Sequence, residues 1–98
     1  MRIRKLRRKA KLGRTLSVTL DTPASSGYAW VICDPAERIW RVLARESAPG
    51  AGFGAQVKDR FRIEMLRPGH ALIAAELKRP WEKEPIERVE IDVDVAAA

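Results

Sequence analysis

Apolar and polar residues alternate with period two in several short runs along this 98-residue chain, the pattern of strands with one buried face. In residues 15–20, Leu16, Val18 and Leu20 share one parity and Thr15, Ser17 and Thr19 the other. Residues 57–65 turn Val57, Phe61, Ile63 and Met65 inward and Lys58, Arg60, Arg62 and Glu64 outward, with Asp59 interrupting the apolar parity. A turn over residues 67–70 leads to a strand over 71–78, and Val89, Ile91, Val93 and Val95 then alternate with Glu90, Asp92 and Asp94. Residues 28–33 are apolar or aromatic on both parities, which predicts a strand in the middle of a sheet, with Trp30 in the core.

One segment reads two ways. Asp34, Pro35 and Glu37 resemble a helix start, and Ala36, Ile39, Trp40 and Leu43 follow helical spacing. The all-β neighbours favour a turn at Asp34 and Pro35 followed by a strand over about residues 39–45. Six or seven short strands with turn signals between them predict an all-β chain, an immunoglobulin-like antiparallel β-sandwich. It has no internal disulfide, because Cys33 is the single cysteine.

Length and composition narrow the class. A chain of 98 residues suits one domain, and its apolar runs, such as residues 28–33 and 71–75, are far too short for a membrane span. The net charge of +6 is unevenly distributed: residues 1–14 carry eight Lys or Arg and no acid, leaving eleven basic against thirteen acidic residues in the remainder. Residues 1–12 therefore read as a basic N-terminal arm or a short first strand, and residues 13–98 as a single immunoglobulin-like domain. No apolar segment follows the basic start, so no signal peptide is expected in this chain. The acidic parity of residues 90–94 calls for basic neighbours, supplied by the N-terminal segment or by the Arg60 and Arg62 face.

Catalytic chemistry has few candidates. A nucleophile and base pair would have to use His70, the single histidine, in a predicted turn with no adjacent acid. Asp92 and Asp94 lie two apart on a solvent face, where unequal acidities do not arise easily. One Cys and one His exclude the usual zinc sets, and the glycines of residues 50–54 lack the Lys and Ser or Thr of a phosphate loop. Neither an enzyme, a metal, a cofactor nor a small-molecule substrate is expected.

Three separated turns remain, each between predicted strands: Pro23, Ala24, Ser25, Ser26, Gly27 and Tyr28; then Gly50, Ala51, Gly52, Phe53 and Gly54; then Arg79, Pro80 and Trp81. A sandwich can gather them at one end as a composite binding edge, with Trp81 beside a proline-fixed turn near solvent. In this order and spacing they resemble the chagasin-type inhibitors of cysteine peptidases, over residues 13–95. The resemblance implies three inhibitory loops that wedge reversibly into the active-site cleft of a papain-like cysteine peptidase, acting as a monomer. In that family the first loop reads Asn, Pro, Thr, Thr, Gly. A gapless match sets Pro23 and Ala24 at its first two positions and Ser25 and Ser26 at the threonines; alternatively Thr22 and Pro23 stand for Asn and Pro with one residue inserted. The second loop has Gly52, Phe53, Gly54 where the family tends to pair glycines.

Two other classes compete. A nucleic-acid or anionic-surface binding module would use the basic N-terminal segment, although no aromatic residue interleaves it to stack on bases, so nucleic acid is not the expected partner. An adhesion or carbohydrate-binding domain would turn the same loops to another target.

Overall fold

Two sheets face one another in the computed structural model, which describes residues 1–23, 27–33, 39–48 and 57–97. Seven strands lie among the described residues: β1 (Arg2–Lys11), β2 (Thr15–Thr22), β3 (Ala29–Ile32), β4 (Trp40–Ala48), β5 (Val57–Met65), β6 (Gly69–Lys78) and β7 (Glu87–Ala96). One sheet has the order β1-β7-β6-β3 and the other β2-β5-β4, an immunoglobulin-like sandwich. All neighbouring strands are antiparallel except β1 and β7, which run parallel.

The alternating runs supply the core. Leu16 and Val18 of β2 lie opposite Ile63 and Phe61 of β5, and Ala71, Ile73 and Ala75 of β6 lie opposite Val93, Ile91 and Val89 of β7. All ten are buried in one cluster with Trp30 and Trp40 between the sheets. Each large side chain in this layer contributes roughly 1.5 to 3 kcal/mol by leaving water. Both indole N–H groups are satisfied, Trp30 Nε1 donating to the Asp21 carbonyl at 3.1 Å and Trp40 Nε1 to the Leu72 carbonyl at 3.3 Å.

The expected mid-sheet position of residues 28–33 is wrong. β3 is an edge strand among the described residues, paired only with β6. Trp30 faces the core at 1% exposure, while Val31 on the other parity is 45% exposed, so apolar character on both parities did not mean burial on both faces. The open edge is partly closed from the other sheet, because Arg45 Nη1 donates to the Trp30 carbonyl at 3.2 Å. β4 begins one residue after the expected strand, and residues 34–38, including the predicted turn at Asp34 and Pro35, lie outside the described residues.

The basic segment forms the ten residues of β1 and pairs along its whole length with β7. Its register sets Lys5, Arg7 and Lys9 opposite Glu90, Asp92 and Asp94, so the acidic parity finds its basic neighbours here. Arg62 turns instead to Glu46 at 3.4 Å. A tight turn carries the chain from β1 to the other sheet: the Arg14 amide donates to the Lys11 carbonyl at 3.0 Å, and Gly13 takes the positive φ of +82° that this turn needs.

Candidate functional site

Strand register determines which turns meet. Ala29, the first residue of β3, is opposite Lys78, the last of β6, so the connection before β3 and the connection after β6 leave the sheet side by side. Val57, the first residue of β5, is opposite Thr22, the last of β2, and Ala48 at the end of β4 is opposite Lys58. The flanks of residues 49–56 therefore stand at the end of the sandwich from which Pro23 departs. Ala24, Ser25 and Ser26 of the predicted first loop, and Gly50, Ala51, Gly52, Phe53 and Gly54 of the second, lie outside the described residues.

Four predicted residues from two of the turns come into one cluster. The Arg79 guanidinium lies 4.4 Å from the centroid of the Tyr28 ring and 5.8 Å from that of Trp81. Gly27 has a φ of +79°, and a Cβ built there would stand 3.5 Å from Trp81 Cη2 and 3.9 Å from Arg79 Cγ. Trp81 thus has one edge close to the first turn, yet it is 73% exposed. Its backbone belongs to a turn in which the Glu82 amide donates to the Arg79 carbonyl at 3.0 Å, with Pro80 at the position where its fixed φ suits the turn. Arg79 also approaches Glu82 at 3.9 Å, and cation–ring contacts at such exposed sites contribute about 0.5 to 1 kcal/mol each.

Gly27 gives a first test of this geometry. A Cβ there meets only ordinary van der Waals distances, so the cost of Gly27→Ala comes from backbone conformation, roughly 1 to 2 kcal/mol. Chemical denaturation of Gly27→Ala is expected to show that loss, and Gly27→Asn a smaller one, because Asn adopts positive φ more readily. Equal stability of all three proteins would contradict the assigned conformation.

Beneath the turns lies a polar group of residues that alternation marked only as an interruption. Asp59 is 3% exposed, accepts hydrogen bonds from the Thr22 and Ser47 hydroxyls, and has Arg45 Nη2 at 3.8 Å. These four side chains belong to the ends of β2, β4 and β5 at the same pole as the turns. A bulge between Val42 and Ala44 makes the arrangement possible, because the extra residue, Leu43, shifts the following part of β4 so that Ser47 comes opposite Asp59. Arg45 comes opposite Phe61 by the same shift, its guanidinium 5.2 Å from the ring centroid.

Of the residues considered for catalysis, His70 and Asp92 meet, and no nucleophile joins them among the described residues. His70 lies within β6 rather than in the predicted turn, and it does have an acidic neighbour, Asp92 on β7, 3.1 Å from Nε2. The Cys33 amide bonds the Ala74 carbonyl, four residues and about 13 Å along β6 from His70, so thiol and imidazole do not meet. Burial pushes the Cys33 thiol up from its ordinary value, and the Glu76 carboxylate adds to the shift, which keeps the sulfur protonated and a poor nucleophile near neutral pH. Glu76 is itself held by Arg88 at 2.9 Å, and Arg88 also reaches Glu90 at 3.0 Å. Among the described residues no group of three His, Cys, Asp or Glu could hold a metal ion.

Residues 9–95 match the family described as Chagasin family peptidase inhibitor I42. No curated protein matches the chain. Several solved structures share its fold. The cysteine protease inhibitor EhICP2 from Entamoeba histolytica is 22% identical with a TM-score of 0.74, each chain being covered to 95%. PbICP-C, solved in complex with falcipain-2, is 20% identical with a TM-score of 0.69, over 95% of this chain and 88% of that one. Amebosin, a solution structure, is 20% identical with a TM-score of 0.62, over 97% of this chain and 98% of that one.

Proposed function

The chain belongs to the chagasin family of peptidase inhibitors, and from that premise we propose that it inhibits cysteine peptidases reversibly, by inserting the end of the sandwich that carries residues 23–28, 50–54 and 79–81 into the catalytic cleft. A similar protein described as a cysteine protease inhibitor, and another solved with falcipain-2 bound, support a cysteine peptidase of the papain type as the target. The observation that carries the reading is the exposed Trp81, fixed by a proline turn and close to Gly27 of the neighbouring turn.

Physically, a plug must fill the space beside the enzyme's thiolate and imidazole without offering a carbonyl in attack geometry. Ser25, Ser26 and Gly27 are slim enough to enter, Trp81 supplies a large apolar face for the cleft wall, and the glycines of residues 50–54 allow close backbone approach on the other side. Because Arg79 already spans Tyr28 and Trp81 in the free protein, little further ordering is needed on contact. A standard interface buries about 1,600 Å², and its strength depends on such anchors and their preorganisation more than on area.

Titration of the intact protein into papain with a fluorogenic peptide substrate tests the reading. Turnover should fall stoichiometrically, recover on dilution, and leave the added chain uncut. Full turnover with the protein in excess, or steady cleavage of the chain as a substrate, would refute it.

A further inference from the structure

Strand β1 ends its sheet, and among the described residues its second edge meets no other strand. The ladder to β7 uses one parity of β1: the Arg2 amide donates to the Ile86 carbonyl at 3.1 Å and, just past the strand, the Leu12 amide to the Ala96 carbonyl at 2.9 Å. In a parallel pair the intervening residues direct their amides and carbonyls the opposite way. Ile3, Lys5, Arg7 and Lys9 therefore present theirs along the open edge.

The charges on this edge are specific in arrangement. Arg4 is paired with Glu87 at 2.8 Å and Arg8 donates to the Ser17 carbonyl at 3.3 Å, so both are engaged within the fold. Lys5, Arg7 and Lys9 stand opposite Glu90, Asp92 and Asp94, and among the described residues no ion pair joins the two sets: Glu90 pairs with Arg88 and Asp92 with His70. A second copy of β1 on this edge would set cations against cations, which disfavours self-association. A polyanion lying flat on the outer face would meet the acidic column of β7 immediately beside the cations. An acidic strand in the plane of the sheet avoids both conflicts, since it flanks the cationic column on its free side as β7 does on the other. Leu6, 42% exposed on the inner parity, is placed to meet the apolar residues that alternate with the acids.

We propose that the open edge of β1 binds an extended acidic segment of another protein, which adds as a further strand and sets carboxylates on alternate residues beside Lys5, Arg7 and Lys9. Main-chain bonds through the odd-numbered residues give the affinity, and the charges give the choice of partner. The proposal is independent of the inhibitory reading, because none of these residues belongs to the three turns.

Amide hydrogen exchange of the intact protein, followed by NMR, tests it with a synthetic peptide matched to β1 in length in which Glu alternates with Val. The peptide should slow exchange at Lys5, Arg7 and Lys9 and leave Arg4, Leu6 and Arg8 as they are. The triple variant Lys5→Gln, Arg7→Gln, Lys9→Gln should bind the peptide about tenfold more weakly, with inhibition of papain unchanged. The same peptide with Lys in place of Glu should not bind. Unchanged exchange at the odd-numbered amides overturns the proposal, as does equal binding of the Lys peptide. Binding of inorganic polyphosphate without binding of the Glu peptide also overturns it, leaving a plain polyanion surface.

Discussion

Trp81→Ala is expected to weaken inhibition of papain about thirtyfold, equivalent to about 2 kcal/mol, while leaving the unfolding transition where it is. The two halves of this expectation have separate causes. Trp81 is 73% exposed, so truncation removes little area that folding had buried, and the turn that holds it is closed by a backbone hydrogen bond that Ala preserves. Binding is different, because an indole held ready by Pro80 and Arg79 loses little freedom on entering a cleft, and its whole face is then available as buried area. Trp81→Phe should fall between the two, keeping a ring of smaller area. Inhibition constants and urea denaturation of the three proteins check this together. An unchanged inhibition constant for the Ala variant would remove Trp81 from the interface, whereas a parallel loss of stability would make its role structural.

Legibility in the sequence followed the range of the interactions involved. Strands β2, β5 and β7 were visible because each alternates against a single core, a property read within one run of residues, and β6 as a short apolar run following a turn. The lateral place of β3 was not visible, since alternation reports which face is buried and says nothing of what lies beside a strand in its sheet. β1 gave almost no periodic signal: cations occupy both parities, and only pairing with the acidic column of β7, some eighty residues away, explains its extended form. Within the candidate site, the exposure of Trp81 could be anticipated from Pro80 and the polar residues after it. The approach of Arg79 to Tyr28 could not, because it depends on the register that places Ala29 opposite Lys78. The polar group around Asp59 left one trace, a charged residue on an apolar parity. Its partners on β4, Ser47 and Arg45, were hidden by the bulge at Leu43, which changes which residues of β4 stand opposite those of β5.

That polar group predicts the larger loss of stability. Asp59→Ala is expected to destabilise the fold by about 2 to 3 kcal/mol, measured by urea denaturation, because it leaves the buried Thr22 hydroxyl and the Ser47 hydroxyl without their acceptor. Arg45 adds less to the loss, since its side chain is partly exposed and can turn to water. Removing donor and acceptor together separates a missing hydrogen bond from a missing carboxylate. Thr22→Val combined with Asp59→Ala should be less destabilised than the sum of the two single variants, because no buried hydroxyl at position 22 then lacks a partner. Simple additivity would mean that Thr22 and Asp59 are not coupled and that the carboxylate serves Ser47 and Arg45 instead. Since Thr22, Ser47 and Asp59 close the strand ends from which residues 23–28 and 49–56 depart, Asp59→Ala should also weaken papain inhibition at temperatures where the variant remains folded. Loss of stability with undiminished inhibition would show that these turns hold their shape without the carboxylate beneath them.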